Sequence, residues 1–197
     1  MSIADGHILL RKQVEVFTEM PDEAWCMIEP YLRERTVKKG DFLVKEGEKG
    51  KEVGFLTDGA MRQYYTKDGE EKTTYFFFER AFVAAYISCI TGKPSLLSID
   101  ALADTSLIVF PYSRLRELFA QSIYWERFGR VIAEWAMMGL EERMVGLLTE
   151  SAEERYLALL GSNKTKILER VPQHLVANYL GITPVSLSRI RNKAARK

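Results

Sequence analysis

Apolar and polar positions alternate with two different periods along this chain, and the change falls near Pro111. Before it, short apolar runs recur between turn residues: Phe42–Lys45, Val53–Thr57, Ala60–Thr66, Lys72–Phe78, Ser98–Leu102 and Ser106–Pro111. Runs of this length and spacing predict a compact antiparallel roll or sandwich. Asp58-Gly59 and Lys67-Asp68-Gly69-Glu70 are expected to be hairpin turns, because both offer residues that tolerate positive φ. A short helix is predicted ahead of the strands, from Pro21-Asp22-Glu23 to Tyr31, with its acids at the positive end of the helix.

After Pro111 the period becomes helical. One helix is predicted at Tyr112–Ala120 and a long one at Ile123–Leu148, roughly 40 Å at the helical rise. Trp125, Phe128, Val131, Ile132, Trp135, Met138, Leu140, Met144, Leu147 and Leu148 cover more than one stripe of the long helix. A helix apolar on two sides must be buried on two sides. One side is expected to meet the roll, the other the same helix of a second chain in a two-fold homodimer. A further helix, Ser151–Leu160, has Ser151 as N-cap and acids at Glu153 and Glu154, and is expected to stop at Gly161. Ser162–Glu169 reads as a connector.

Val171–Lys193, VPQHLVANYLGITPVSLSRIRNK, has the pattern of a helix-turn-helix. Pro172 opens a first helix that runs to about Tyr179, and Gly181 makes the turn. Thr183 is the N-cap and Pro184 the first residue of the second helix. Ala177 is small where the two helices must cross. Val176, Leu180, Ile182, Leu187 and Ile190 lock the pair. On the second helix, Leu187, Ile190 and Ala194 share a core face, while Val185, Arg189, Asn192 and Arg196 lie opposite. An apolar group, an arginine and an asparagine suit a thymine methyl, a guanine and an adenine in the major groove. The expected DNA-contacting set is Gln173, Thr183, Pro184, Val185, Ser188, Arg189, Asn192 and Lys193, with Lys193 on phosphate.

Charge sharpens this reading. The 197 residues carry a net charge of +1. Residues 164–197 hold eight basic residues against one acid, Glu169, so this end is +7 and residues 1–163 are −6. A basic module on an acidic body is the electrostatic pattern of a polyanion binder. The two cysteines, Cys26 and Cys89, are too few and too far apart for a disulfide framework or a four-cysteine metal site. No apolar run is long enough to span a membrane. The N-terminus lacks signal-peptide features, so a cytoplasmic location is expected. Between His7 and His174 there is no histidine, which counts against a metal-dependent β-barrel enzyme. No Ser-His-Asp set, phosphate loop or catalytic carboxylate pair is discernible. A signalling module that binds a protein or a small apolar ligand through the roll is the competing expectation.

The turn glycines Gly40, Gly47, Gly59 and Gly69, in KKGDFLVKEGE, TDGA and KDGE, join VPQHLVANYLGITPVSLSRI in a resemblance to the Crp/Fnr family of transcription regulators. The resemblance covers nearly the whole chain. It implies an α+β fold: an N-terminal antiparallel β-roll of the cyclic-nucleotide-binding type (1–120), a long dimerisation helix (121–149) and a C-terminal helix-turn-helix domain (150–197). It also implies a homodimer that binds double-stranded DNA and RNA polymerase, with no catalytic role. Nucleotide-binding members hold phosphate and ribose with a Gly-Glu pair and an Arg about ten residues on. Alignment places Ala84 and Ala85 at the pair and Ser95 at the arginine. Cyclic AMP binding is therefore not expected, since buried phosphate and ribose would lack partners. The effector is left unknown. No iron–sulfur, haem or metal cofactor is expected, and His174 is assigned a surface or phosphate-facing role. Tyr64, Tyr65, Tyr75, Phe76, Phe77, Phe78 and Tyr86 are expected to be packing residues, or else to line an apolar effector pocket. Cys89 is a candidate oxidation sensor in the cassette. The β-hairpin wing that often follows the second helix is expected to be absent or reduced.

Overall fold

The computed structural model describes residues 3–161 and 165–194. Helix α1 (Ile3–Phe17) and short α2 (Asp22–Trp25) precede a single 3-10 turn at Glu29–Tyr31. Eight strands follow: β1 (Arg33–Val37), β2 (Phe42–Val44), β3 (Glu52–Asp58), β4 (Ala60–Lys67), β5 (Glu70–Phe78), β6 (Phe82–Val83), β7 (Ser98–Ala101) and β8 (Thr105–Pro111). Helix α3 (Tyr86–Thr91) sits between β6 and β7. The rest is helical: α4 (Tyr112–Gln121), α5 (Ile123–Thr149), α6 (Ala152–Gly161), α7 (Thr165–Arg170), α8 (Gln173–Tyr179) and α9 (Pro184–Ala194).

The strands form two antiparallel sheets, β1-β8-β3-β6 and β2-β7-β4-β5. Between them lies a core that includes Val44, Leu56, Met61, Ile99 and Leu107. In β8 the side chains take turns: Leu107 and Val109 enter that core, while Ile108 and Phe110 face the helices. Strands buried on both faces read as continuous apolar runs, which is how SLIVF appears. The helical face has its own core, in which Leu10 and Val14 of α1 meet Phe55, Trp125 and Phe128. Trp125 is 2% exposed, and its indole Nε1 donates to the Ala24 carbonyl at 2.8 Å.

The β4–β5 hairpin turns at Asp68-Gly69 with φ of 54° and 79°, the left-handed pair that a two-residue hairpin demands. Two expectations need correction. The helix predicted from Pro21 to Tyr31 stops at Trp25, because Pro30 cannot continue a helix interior and instead belongs to the 3-10 turn. The predicted connector contains α7 from Thr165 onward, while 162–164 fall outside the described residues.

Candidate nucleic-acid interface

Ala177 of α8 has no exposed surface and shares a core with Leu187 of α9. The chain reverses at Gly181, whose φ is +71°, a left-handed value that a Cβ would oppose. Ile182 N–H then bonds to the Ala177 carbonyl at 3.0 Å, closing the first helix. The second is capped as expected, with Thr183 Oγ1 accepting from the Ser186 N–H at 3.2 Å. Pro172 differs from the prediction: it occupies the N-cap position, and the helix begins at Gln173. Val176, Leu180 and Leu187 are buried, and Ile182 and Ile190 pack against the same cluster.

That packing decides which face of α9 is free. Val185 is 62% exposed, and Thr183, Pro184, Ser188, Arg189 and Asn192 are exposed beside it. Arg189 and Asn192 make no side-chain bond among the described residues, so their donors are available. Gln173 is exposed on α8, and its side-chain oxygen accepts from Arg191 at 2.8 Å. Lys193 is the exception to the expected grouping: its ammonium pairs with Glu153 of α6 at 2.6 Å. Arg196, expected on the reading face, lies outside the described residues. His174 is exposed and lines an open cleft of about 410 Å³ with Glu70, Glu71, Leu175 and Asn178.

The residues that hold this pair against the roll were not foreseen. Strand β5 is an edge, so its outer backbone groups need partners. Asn178 supplies both: its Oδ1 accepts from Thr73 N–H at 2.7 Å and its Nδ2 donates to the Glu71 carbonyl at 2.8 Å. Phe76 and Phe78, expected as roll packing or pocket lining, project outward from β5 and join the helix-turn-helix core, with Phe76 and Tyr179 ring centroids 5.3 Å apart. Phe77, on the opposite face, fills the roll, and Tyr75 packs beside it. Arg155 donates to the carbonyls of Gly146, Glu150 and Leu180, tying α5 to the turn. Arg170 and Lys166 of α7 converge on Glu79 at 2.6 and 3.0 Å. Burial disfavours the charged form of Glu79, but these hydrogen bonds outweigh it and hold the carboxyl at about 2. Arg62, 5% exposed, is bonded to Asp100 and to Glu71, whose carbonyl Asn178 holds. An asparagine inside a helix and an arginine in an apolar one were the available signals.

Residues 34–122 match the cyclic nucleotide-binding domain family. The chain is 26% identical over 169 residues to the transcriptional activator Anr of Pseudomonas protegens, covering 80% of this chain and 68% of that protein. FixK2 from Bradyrhizobium japonicum superposes with a TM-score of 0.71 at 20% identity, over 84% of this chain and 85% of that one. A regulator of the Crp/Fnr family from Eubacterium rectale gives 0.69 at 18% identity, over 87% and 82%. Over most of its length the chain is similar to Crp/Fnr-type transcription regulators.

Within the matched residues lie Ala84, Ala85 and Ser95. Ala85 is buried, and a Cβ on Gly50 would stand 3.0 Å from the Ala85 Cβ. Ser95 is also buried, and its hydroxyl is engaged locally, donating to the Leu97 carbonyl at 2.7 Å and accepting from the Leu97 N–H at 3.2 Å. Neither Ala84 nor Ala85 offers a polar side chain. Cys89 sits beside them with its thiol pushed up to about 11 by burial, so it stays protonated near neutral pH. That weakens the oxidation-sensor reading, because the thiolate is the reactive form. The described residues include no group of His, Cys, Asp and Glu suited to a metal ion, and no helix among them is long and apolar enough to cross a membrane.

Proposed function

We propose that this chain is a Crp/Fnr-type transcription regulator, a homodimer that reads double-stranded DNA through Val185, Ser188, Arg189 and Asn192. Thr183 and Pro184 set the helix start against the phosphates, and Gln173 and Lys193 contact the backbone. The observation that carries the reading is the exposed face of α9, whose opposite face is locked by Leu187 and Ile190. Helices presented this way place their N-terminal residues against base edges in the major groove. Residues 1–120 act as the sensor, 121–149 as the dimer helix and 150–197 as the DNA-binding domain. The dimer is supported by the second half of α5, where Met137, Leu140, Met144 and Leu147 are exposed at alternating spacings of three and four. That is the seam of a two-stranded coiled coil. Cyclic AMP has no charged partners at Ala84, Ala85 and Ser95 and is not the effector. The protein works in the cytoplasm with RNA polymerase as its further partner, and it is not an enzyme.

Selection of bound DNA from a random pool tests this directly. A rough palindrome with half-site centres about 34–36 Å apart is expected for a two-fold dimer. Recovery of unrelated sequences with no shared element would overturn the reading.

A further inference from the structure

The last turns of α9 carry two cations on opposite flanks, and the two are held differently. Lys193 reaches α6, where the Glu153 carboxylate pairs with it at 2.6 Å. Arg191 reaches the start of α8, where its Nη1 donates to the Gln173 Oε1 at 2.8 Å. The first partner cancels a charge. The second is a neutral amide, so the guanidinium keeps its charge.

Both Arg191 and Gln173 are exposed, and Arg191 has no ion pair among the described residues. Residues 171–194 contain neither Asp nor Glu. On the elements packed against α8 and α9 the acids have other partners. Glu70 pairs with Lys72, Glu71 with Arg62 and Glu153 with Lys193, while Glu154 accepts from the Ser151 N–H. Glu169 of α7 makes no ion pair with Arg191.

Chemistry decides which way the Gln173 amide points. A guanidinium has donors and no acceptor, so only the amide oxygen can face Arg191. The Gln173 NH2 group is then turned away and free to donate. Arg191 spends one N–H on this bond and keeps the rest of its fork. Donors alone, with one positive charge, fit a DNA phosphate, whose oxygens only accept. In a helix-turn-helix the first helix crosses the backbone while the second enters the groove, so a link between the two lies over phosphate.

We infer that Arg191 and Gln173 form one clamp on the DNA backbone, in which Arg191 contacts phosphate and also fixes the Gln173 amide with its NH2 outward. This rests on the DNA-reading role of α9 proposed above and adds to it a cation outside the reading face.

The test titrates the full chain with two duplexes, the best selected site and a random sequence, at several salt concentrations. Arg191→Ala should weaken both duplexes by the same factor, about fivefold or more, and lower the slope of log affinity against log salt by about one. Arg191→Lys should keep the slope, since the charge remains. Gln173→Ala should weaken both duplexes by a smaller factor at the parent's slope, because a neutral amide releases no counterion. With both residues replaced by Ala, the loss should be smaller than the product of the single losses, because Arg191 acts partly through Gln173. Gln173→Glu leaves Arg191 in place but pairs its charge, so it should bind more weakly than Gln173→Ala and with a lower slope. All these variants should melt as the parent does, since both side chains are exposed. Parent affinity in Arg191→Ala, a loss there without a change of slope, or parent behaviour in Gln173→Glu would overturn the phosphate contact. Single losses that simply multiply would overturn the positioning role. A parent that binds neither duplex would overturn the DNA-reading role itself, an outcome distinct from any change confined to the variants.

Discussion

The Arg143 guanidinium lies 3.7 Å above the Tyr179 ring and donates to the Tyr179 carbonyl at 2.8 Å. One side chain of α5 thus satisfies a carbonyl at the end of α8 and stacks on the ring that packs against β5. A buried charged hydrogen bond together with a cation–π contact is worth about 2–3 kcal/mol. Arg143→Ala should lower Tm by about 5–10 °C and speed amide exchange across Gln173–Tyr179. Arg143→Lys should not restore the contact, because an ammonium cannot stack flat and bond at once. Unchanged exchange in α8 would show that Arg143 does not hold the helix.

Glu79 predicts a pH dependence. Its folded value of about 2 lies below its ordinary 4.5, so its contribution to stability is complete above 4.5 and is lost as pH falls through about 2. Glu79→Gln should therefore be less stable than the parent at neutral pH. The gap should narrow as acid is added between those two values. Because the carboxylate is 25% exposed, added salt should also shrink the gap. A gap that is constant through this range would mean that the Arg170 and Lys166 bonds contribute nothing to folding.

The strands and helices that carry a run of apolar residues were legible, and so was the helix-turn-helix, because burial writes itself into sequence as a period. What escaped notice lacks that mark. Strand β1 reads RERTV and buries only Val37 fully, since it is an edge strand. Helix α1 was readable from Leu10, Val14 and Phe17, which recur at helical spacing, but was not assigned. Strand β6 has two residues, too few to show any period. At the site, exposure of Arg189 and Asn192 followed from the wheel. The bonds from Asn178 to Thr73 and Glu71 join residues more than a hundred positions apart, and no local pattern reports such a pairing. The Lys193–Glu153 pair escaped for the same reason.

The seam on α5 can be broken without touching the core. Leu140→Glu with Met144→Glu puts like charges at adjacent seam positions, both more than half exposed in the single chain. Sedimentation of the parent should give about twice the 22.6 kDa chain mass, and the variant should sediment as one chain. DNA affinity should fall along with the dimer, since two half-sites are no longer engaged together. A parent that sediments as a clean monomer at micromolar concentration would end the proposal.

Cyclic AMP and cyclic GMP should give no binding heat in calorimetry at physiological concentrations. The buried Ser95 hydroxyl is already spent on Leu97, and Ala85 has no acceptor for ribose. Restoring a cation by Ser95→Arg alone should not create a site, because the ribose would still lack its partner. A low-micromolar Kd for the parent would show that another set of groups holds the nucleotide.

Arg189 and Lys193 both lie on the exposed side of α9, yet their surroundings differ. Arg189 has no side-chain partner among the described residues and stands between Val185 and Asn192, where a bidentate guanine contact is worth about 1–3 kcal/mol of discrimination. Arg189→Ala should weaken the best site by roughly ten- to a hundredfold and relax preference at one base pair in each half-site. Lys193 must leave Glu153 before it can meet a phosphate, so the free protein competes with DNA for it. Lys193→Ala should weaken all sequences about equally and lower the salt dependence of binding. Glu153→Gln should do the reverse, tightening all sequences and steepening the salt dependence, because the ammonium is released for phosphate. Titrations of the three variants on the best site and on single-base changes, at two salt concentrations, separate these effects. If Arg189→Ala leaves base preference intact, Arg189 is a backbone contact and the reading falls to Val185 and Ser188. If Glu153→Gln leaves affinity unchanged, Lys193 does not reach the DNA.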